Sequence, residues 1–199
     1  MKIAGLRSRV TKKFKATTYS KHSLPVAPNI LNRDFSTEKA GEKFVSDITY
    51  VWTEEGWLYV AAVMDLFGQR IVGLSMGKRM TKELVIKALD DAYMRSGKPS
   101  KTLIHSDRGS QYCSKEYQKK IKNYDMICSM SRKGNCWDNA PMEAFWGKMK
   151  YEWLNHYRFK TREEARSMVF EYVEIFHNRY RLHASNGYRT PEDFSLKAS

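Results

Sequence analysis

The chain has 199 residues, 42% hydrophobic and 13% aromatic, which suits one packed domain with an appendage and argues against a wholly disordered chain. Its longest apolar run, LYVAAVM at residues 58–64, is too short to span a bilayer, and the basic N-terminus lacks the apolar stretch of a secretory signal. Thirty-five Lys and Arg against 22 Asp and Glu give a net charge of +13 and a pI near 9.6, a balance that attracts polyanions, nucleic acid first among them.

Residues 1–34 hold Lys2, Arg7, Arg9, Lys12, Lys13, Lys15, Lys21 and Arg33 against Asp34 alone. With Pro25 and Pro28 and little periodicity, the segment reads as an extended basic arm, bounded at residues 1–38. Lys12, Lys13 and Lys15 are its candidate phosphate contacts; a solvated tail is the plainer alternative. KFVSDITYVW (43–52) is rich in β-branched and aromatic residues, as a strand should be. WLYVAAVMDLF (57–67) is a longer, nearly continuous apolar strand, of the kind covered on both faces. RIVGLSMG (70–77) is a third, and the short turns at Glu54-Glu55-Gly56 and Gly68-Gln69 make the three an antiparallel meander.

Residues 81–97 place Leu84, Val85, Ala88, Leu89 and Ala92 at helical spacing, with Thr81 as N-cap and Gly97 and Pro99 closing the helix. A fourth strand (101–106), a short basic helix (114–124) and a fifth strand (126–131) follow. RKGNCWDN (132–139) is a loop, a long helix begins near Pro141, and a last helix spans 161–182. The order predicts an α/β fold: a five-stranded mixed sheet flanked by helices. Cys113, Cys128 and Cys136 have no CxxC spacing and read as free thiols in a reducing cytoplasm.

Three acids sit where chemistry could use them: Asp47 inside the first strand, Asp107 at the end of the fourth, and Glu143 in the first turn of the long helix, 35 residues after Asp107. Each has a plain reading. Asp47 suits the outward side of a half-buried strand, Asp107 a turn before Gly109, and Glu143 the positive end of a helix that Asp138 or Asn139 caps. Together they say more. The first strand of a meander lies at its inner edge, so strands one and four are neighbours and their acids lie side by side, with Glu143 brought across from them. Three such carboxylates repel one another without a cation. Oxygen-only ligation favours Mg²⁺ or Mn²⁺, and two ions about 3.5–4 Å apart can activate a nucleophile and stabilise a leaving oxygen.

The D…D-35-E spacing resembles the catalytic triad of retroviral-integrase-type transposases. The words around it, FVSDITYV, HSDRGSQY, GNCWDNAPMEAFWGKMKYE and HNRYRLHASNGYRTPEDF, resemble the OrfB-type transposases of the IS-three family of bacterial insertion elements, over about residues 40–195. The resemblance implies an RNase H-like catalytic core at 39–156, a C-terminal helical extension at 157–199, and Mg²⁺-dependent strand cleavage and transfer. Water exposes a 3′-OH at an element end, which then attacks another phosphodiester with no covalent protein–DNA intermediate. Asp47 and Asp107 would hold both ions and Glu143 complete one site. The implied partners are double-stranded DNA at the element ends and target, further copies of the chain on that DNA, and a helix-turn-helix protein from an upstream reading frame. The implied setting is the bacterial cytoplasm near the nucleoid, with no membrane.

Two features depart from the family. MKIAGLRSRV resembles only the tail of a helix-turn-helix segment, and Asn186 stands where the family usually has Leu; both bear on end recognition and assembly. A catalytically silent, truncated transposase that regulates by binding DNA is the alternative reading.

Around the acids, Lys150 lies seven residues past Glu143, about 700° of turn and roughly 10 Å along the axis, so both share a face with Gly147 between them. Lys150 and Lys148 are candidate DNA contacts near the site, with an ordinary solvated lysine as the plainer reading of Lys150; Arg108 is open between a phosphate contact and a pair with an acid. Glu152 turns about 180° away from Glu143 and is a poor substitute for it. Asp65 is expected to order its turn, and His105 to be a core histidine. Trp137 and Trp146 are expected to pack around the helix start, with base stacking as the other option. His177, Arg179, Arg181 and His183 read as a basic helix end, and RTPEDF as a cap that docks the tail.

Overall fold

Valine, isoleucine, threonine and aromatic side chains dominate β1 (Lys43–Thr53) and recur in β2 (Gly56–Asp65) and β3 (Arg70–Gly77), and the three strands pair in succession as an antiparallel meander. In the computed structural model, which describes residues 23–197, α1 (Lys82–Arg95) crosses to β4 (Leu103–Ser106) and α2 (Lys115–Asn123) to β5 (Ile127–Met130). Lys12, Lys13 and Lys15 lie outside the described residues. The strand order is β3-β2-β1-β4-β5, with β1 parallel to β4 and β4 parallel to β5. The inner strand of the meander thus sits beside the first strand delivered by a helix, as the sequence predicts.

Alternation along β1 feeds two cores. Val45 and Val51 join Met142, Phe145, Trp146 and Met149 of α3 (Ala140–Glu152), while Phe44 and Ile48 pack with Val85, Ala88 and Leu89 of α1. Helix α1 lies so close to the sheet that a Cβ at Gly73 would come within 2.1 Å of the Ala88 carbonyl. Asp47 has the parity of Val45, so it faces the α3 side.

The C-terminal part departs from the expected single helix. Thr161 and Glu164 form a capping box that opens α4 (Arg162–Phe170), and the chain then continues as a π-helical stretch, Glu171–Tyr180. The pitch is legible in what it buries: Tyr172 and Val173, then His177 and Asn178, five residues on. The wider turn brings Asn178 against the free edge of β3, where Oδ1 accepts from the Ile71 amide at 3.0 Å and Nδ2 donates to the Ile71 carbonyl at 3.0 Å. Helix α5 (Pro191–Lys197) docks through Phe194, 5.0 Å from the Phe67 ring, as the RTPEDF reading expects. Asn186 is buried, its Nδ2 donating to the Gly68 carbonyl at 2.8 Å.

Both outer strands are bonded in part along their free edges. Along β3, Asp91 accepts from the Leu74 amide (3.1 Å) and Arg166 donates to the Met76 carbonyl (3.1 Å), beside the Asn178 pair. Along β5, the Met130 amide donates to Pro28 O (3.2 Å), and Ser129 Oγ accepts from the amides of Ile30 and Leu31. Among the described residues no helix is long and apolar enough to cross a membrane.

Candidate active site

Strands β1 and β4 stay paired as far as Val45 and His105. Two residues further along each, the same register sets Asp47 level with Asp107, where the strands part at the carboxyl edge of β4. Crevices of this kind are where sheets of this class bind ligands. Helix α3 closes the site from one side: the Trp146 indole N–H donates to Asp47 Oδ2 at 3.1 Å, and Asn139 Nδ2 donates to the Ser46 carbonyl at 3.1 Å. The start of α3 is thereby pinned to β1 one residue before Asp47.

Burial pushes the Asp47 carboxyl well above the usual carboxylate range; the negative charge of Asp107 pushes it further, and that of Glu143 adds to this. Burial also raises Glu143. Asp47 therefore lies in the field of both other acids. Asp107 starts the turn, its Oδ1 accepting from the Gly109 amide at 2.8 Å, and its charge acts on Asp47. As residues, Asp47, Asp107 and Glu143 are each half-buried.

Among the described residues, neither Asp47 nor Glu143 forms an ion pair, and no three Asp, Glu, His or Cys side chains are drawn close enough to hold an ion as they stand. Yet the donor chemistry fits a divalent cation: oxygen-only ligands, two from adjacent strands and one from a facing helix, in mutual repulsion that a cation would relieve.

The helix face beyond Glu143 is open. An added Cβ at Gly147 would meet nothing within 4 Å. Lys150 follows; burial lowers its pKa while the Asp47 charge raises it, and its Nζ sits 4.9 Å from the Tyr50 ring centroid. Lys148 lies elsewhere, under the charges of Arg181 and Glu152. Arg108 donates through Nε to the Ser131 carbonyl, bracing the end of β4 against the loop after β5. Glu152 is held by Arg181 at 2.6 Å and by the Tyr172 hydroxyl at 3.1 Å, away from the acids as helix geometry requires. Asp65 accepts from the amides of Gly41 (2.8 Å) and Phe67 (3.0 Å), ordering its turn as expected.

His105 is the core histidine the sequence suggests: buried, with Nδ1 2.8 Å from Ser129 Oγ and Nε2 3.0 Å from Ser131 Oγ. Ser129 Oγ already accepts two backbone amides, so its own proton goes to Nδ1 and the ring carries its hydrogen on Nε2. Burial lowers its pKa to about 4, so the ring is neutral at pH 7.

Three expectations need correction. Trp146 packs, but Trp137 is 68% exposed and packs on nothing that would bury it. The residues 177–183 are not a free basic end: burial lowers His177 to about 3 and His183 to about 4, and Arg179 and Arg181 pair with Glu192 and Glu152. Neither Asp138 nor Asn139 caps α3 with its side chain. Asp138 is instead the centre of a buried clamp. Its carboxylate takes Arg132 Nη2 at 2.7 Å, Arg33 Nε at 2.9 Å, Asn29 Nδ2 at 3.0 Å and the Arg132 amide at 2.9 Å. These partners, Arg132 first, hold its pKa far below the usual range. The clamp joins the strap at 29–33 to the loop that delivers Glu143. The six-residue interval from Arg132 is its one local signal; Arg33 is 105 residues away.

Two family models, each described as Integrase core domain, match residues 37–136 and 124–191. The chain is 52% identical over 193 residues to the insertion element IS600 uncharacterized 31 kDa protein of Shigella sonnei, covering 96% of this chain and 71% of that one. It is 42% identical over 193 residues to the transposase InsF for insertion sequence IS3A of Escherichia coli K12, covering 97% and 67%. By structure it is similar to a chain of the simian T-cell lymphotropic virus intasome in complex with PP2A regulatory subunit B56 gamma. That likeness has TM-score 0.66 at 16% identity, over 89% of this chain and 60% of that chain. It is also similar to the HTLV-2 integrase catalytic core domain in complex with magnesium, with TM-score 0.61 at 18% identity over 79% and 97%. The fold is therefore RNase H-like, as expected.

Proposed function

The chain belongs to the integrase core domain family, in its insertion-element transposase branch, and from that premise we propose how it cuts and joins DNA. Asp47, Asp107 and Glu143 would hold Mg²⁺, or Mn²⁺ in its place, two ions to the site. The ions would stabilise charge on the phosphoryl oxygens and activate the attacking hydroxyl. Trp146 fixes the Asp47 carboxylate by its N–H, and Asn139 sets the approach of α3, so the reacting phosphate meets a positioned group. At an element end, the oxygen of water bonds to phosphorus, the bond to the 3′ oxygen breaks, and that oxygen takes up a proton. The freed 3′-OH repeats the displacement on target DNA.

Lys150 and Arg108 contact phosphates beside the scissile bond, Lys148 contacts DNA further out, and Lys12, Lys13 and Lys15 contact it from the arm at 1–38. The core at 39–156 carries the chemistry, and the extension at 157–199 supports it. Copies of the chain assemble on DNA in the bacterial cytoplasm, with an upstream-frame helix-turn-helix protein as partner.

One observation supports this reading: β1 and β4 run parallel and paired up to Val45 and His105, two residues short of Asp47 and Asp107. The test is purified protein with Mg²⁺ and DNA bearing the element ends. Nicking and joining are expected, lost in Asp107→Asn with DNA binding retained. Unmodified protein that binds these ends and never cuts them would instead be the DNA-binding regulator.

A further inference from the structure

Beyond Val45, β1 has no strand beside it on the β4 side until Thr53 bridges to Phe159. The gap opens as a groove of about 420 Å³ lined by Tyr50, Trp52, Lys150, Tyr157 and Arg158, with Glu54 as its acid. The groove begins where the active site ends, since Lys150 both feels Asp47 and sits over Tyr50.

Its aromatic side chains are unusually open to water. Trp52 is 58% exposed, Tyr157 52% and the neighbouring Trp57 40%. They are also held: Trp57 packs edge-on against Tyr50 at 4.8 Å and against Trp52 at 4.7 Å. Large apolar faces left in solvent together mark a binding surface. Rigid ones lose little freedom when they bind. The two cations beside them select a polyanion. Duplex DNA hides the faces of its bases, whereas an unpaired nucleotide offers both a face to stack and a phosphate to pair.

We propose that this groove takes an unpaired nucleotide of the DNA strand engaged at the active site, its base stacked on Trp52 and Tyr157 and its phosphate paired with Arg158. The inference rests on the transposase reading above. The nucleotide comes from a frayed element end, on one strand or the other, or from distorted target DNA.

The test measures binding only, so it stands apart from whether the protein cuts. Fluorescence anisotropy in EDTA would compare a blunt element-end duplex with duplexes carrying three unpaired nucleotides on the 3′ or the 5′ strand, and with a target duplex containing a bubble. At least one unpaired substrate is expected to bind about five- to a hundred-fold more tightly than the blunt duplex, and the arm that does so names the source. Trp52→Ala and Tyr157→Ala should remove that preference and leave blunt-end affinity within about twofold, while Trp52→Phe keeps most of it. A 2-aminopurine in the unpaired segment should be quenched by unmodified protein and not by Trp52→Ala. Equal affinity for blunt and unpaired substrates, or a preference that survives both alanine variants, overturns the proposal.

Discussion

Asp138 and Asp47 carry the same side chain on either side of the α3 start, and the protein treats them in opposite ways. Asp138 is sealed among two arginines, an asparagine and a backbone amide, and its charge is fully answered. Asp47 is partly open, has an indole N–H for a neutral partner, and faces two further carboxylates with Lys150 as the nearby cation. The first arrangement spends a carboxylate on holding two segments together. The second keeps one under electrostatic load, which makes sense where a divalent ion is to be received. An acid whose hydrogen bonds are complete supports structure; an acid left short of positive charge is available for chemistry.

Breaking each acid in turn should separate the two roles. Asp47→Asn is expected to cut strand cleavage by roughly a thousand-fold, as loss of several kcal/mol of transition-state stabilisation implies, while leaving the thermal midpoint equal or higher. A gel assay beside a melting curve reads both. Asp138→Asn should do the reverse in kind, costing about 2–3 kcal/mol by urea denaturation, the lower end for a buried pair because both arginines are about half exposed. Addition of Mg²⁺ at about 100 times its Kd should stabilise the unmodified protein by roughly 2.7 kcal/mol and Asp47→Asn by much less. An equal gain in both would remove Asp47 from the ion site.

The pH dependence sharpens the contrast. Asp138 has a depressed folded pKa, so its stabilisation is complete above the unfolded value near 3.9 and is lost as pH falls through the folded one. The acid limb of the stability profile should therefore be shallower in Asp138→Asn. The smallest effect is expected at the lysines of α3. Lys150→Ala should lower the log–log salt slope of DNA binding by about 1, with a lesser change for Lys148→Ala, which sits among Arg181 and Glu152.

The sheet order and the parallel pairing of β1 with β4 were legible because meander turns and a crossover helix leave few topologies open. Asp65, His105 and Glu152 were legible from strand ends and helix angles. The Asp138 clamp was not, since a cap and a buried ion pair use the same local letters and Arg33 is remote in the chain. The change of pitch after Phe170 was hidden for another reason. An apolar run such as MVFEYVEIF fits 3.6 residues per turn, and only the bonds of Asn178 to Ile71 show that a wider turn was needed. Trp137 was misplaced because exposure of a tryptophan is set by what lies opposite, which no neighbouring residue reveals.

The covering of β3 and β5 has a consequence for assembly. Among the described residues, margins that are partly bonded within the chain give another copy fewer free amides and carbonyls to extend. Bonds of this kind leave the sheet less able to grow from one copy into the next.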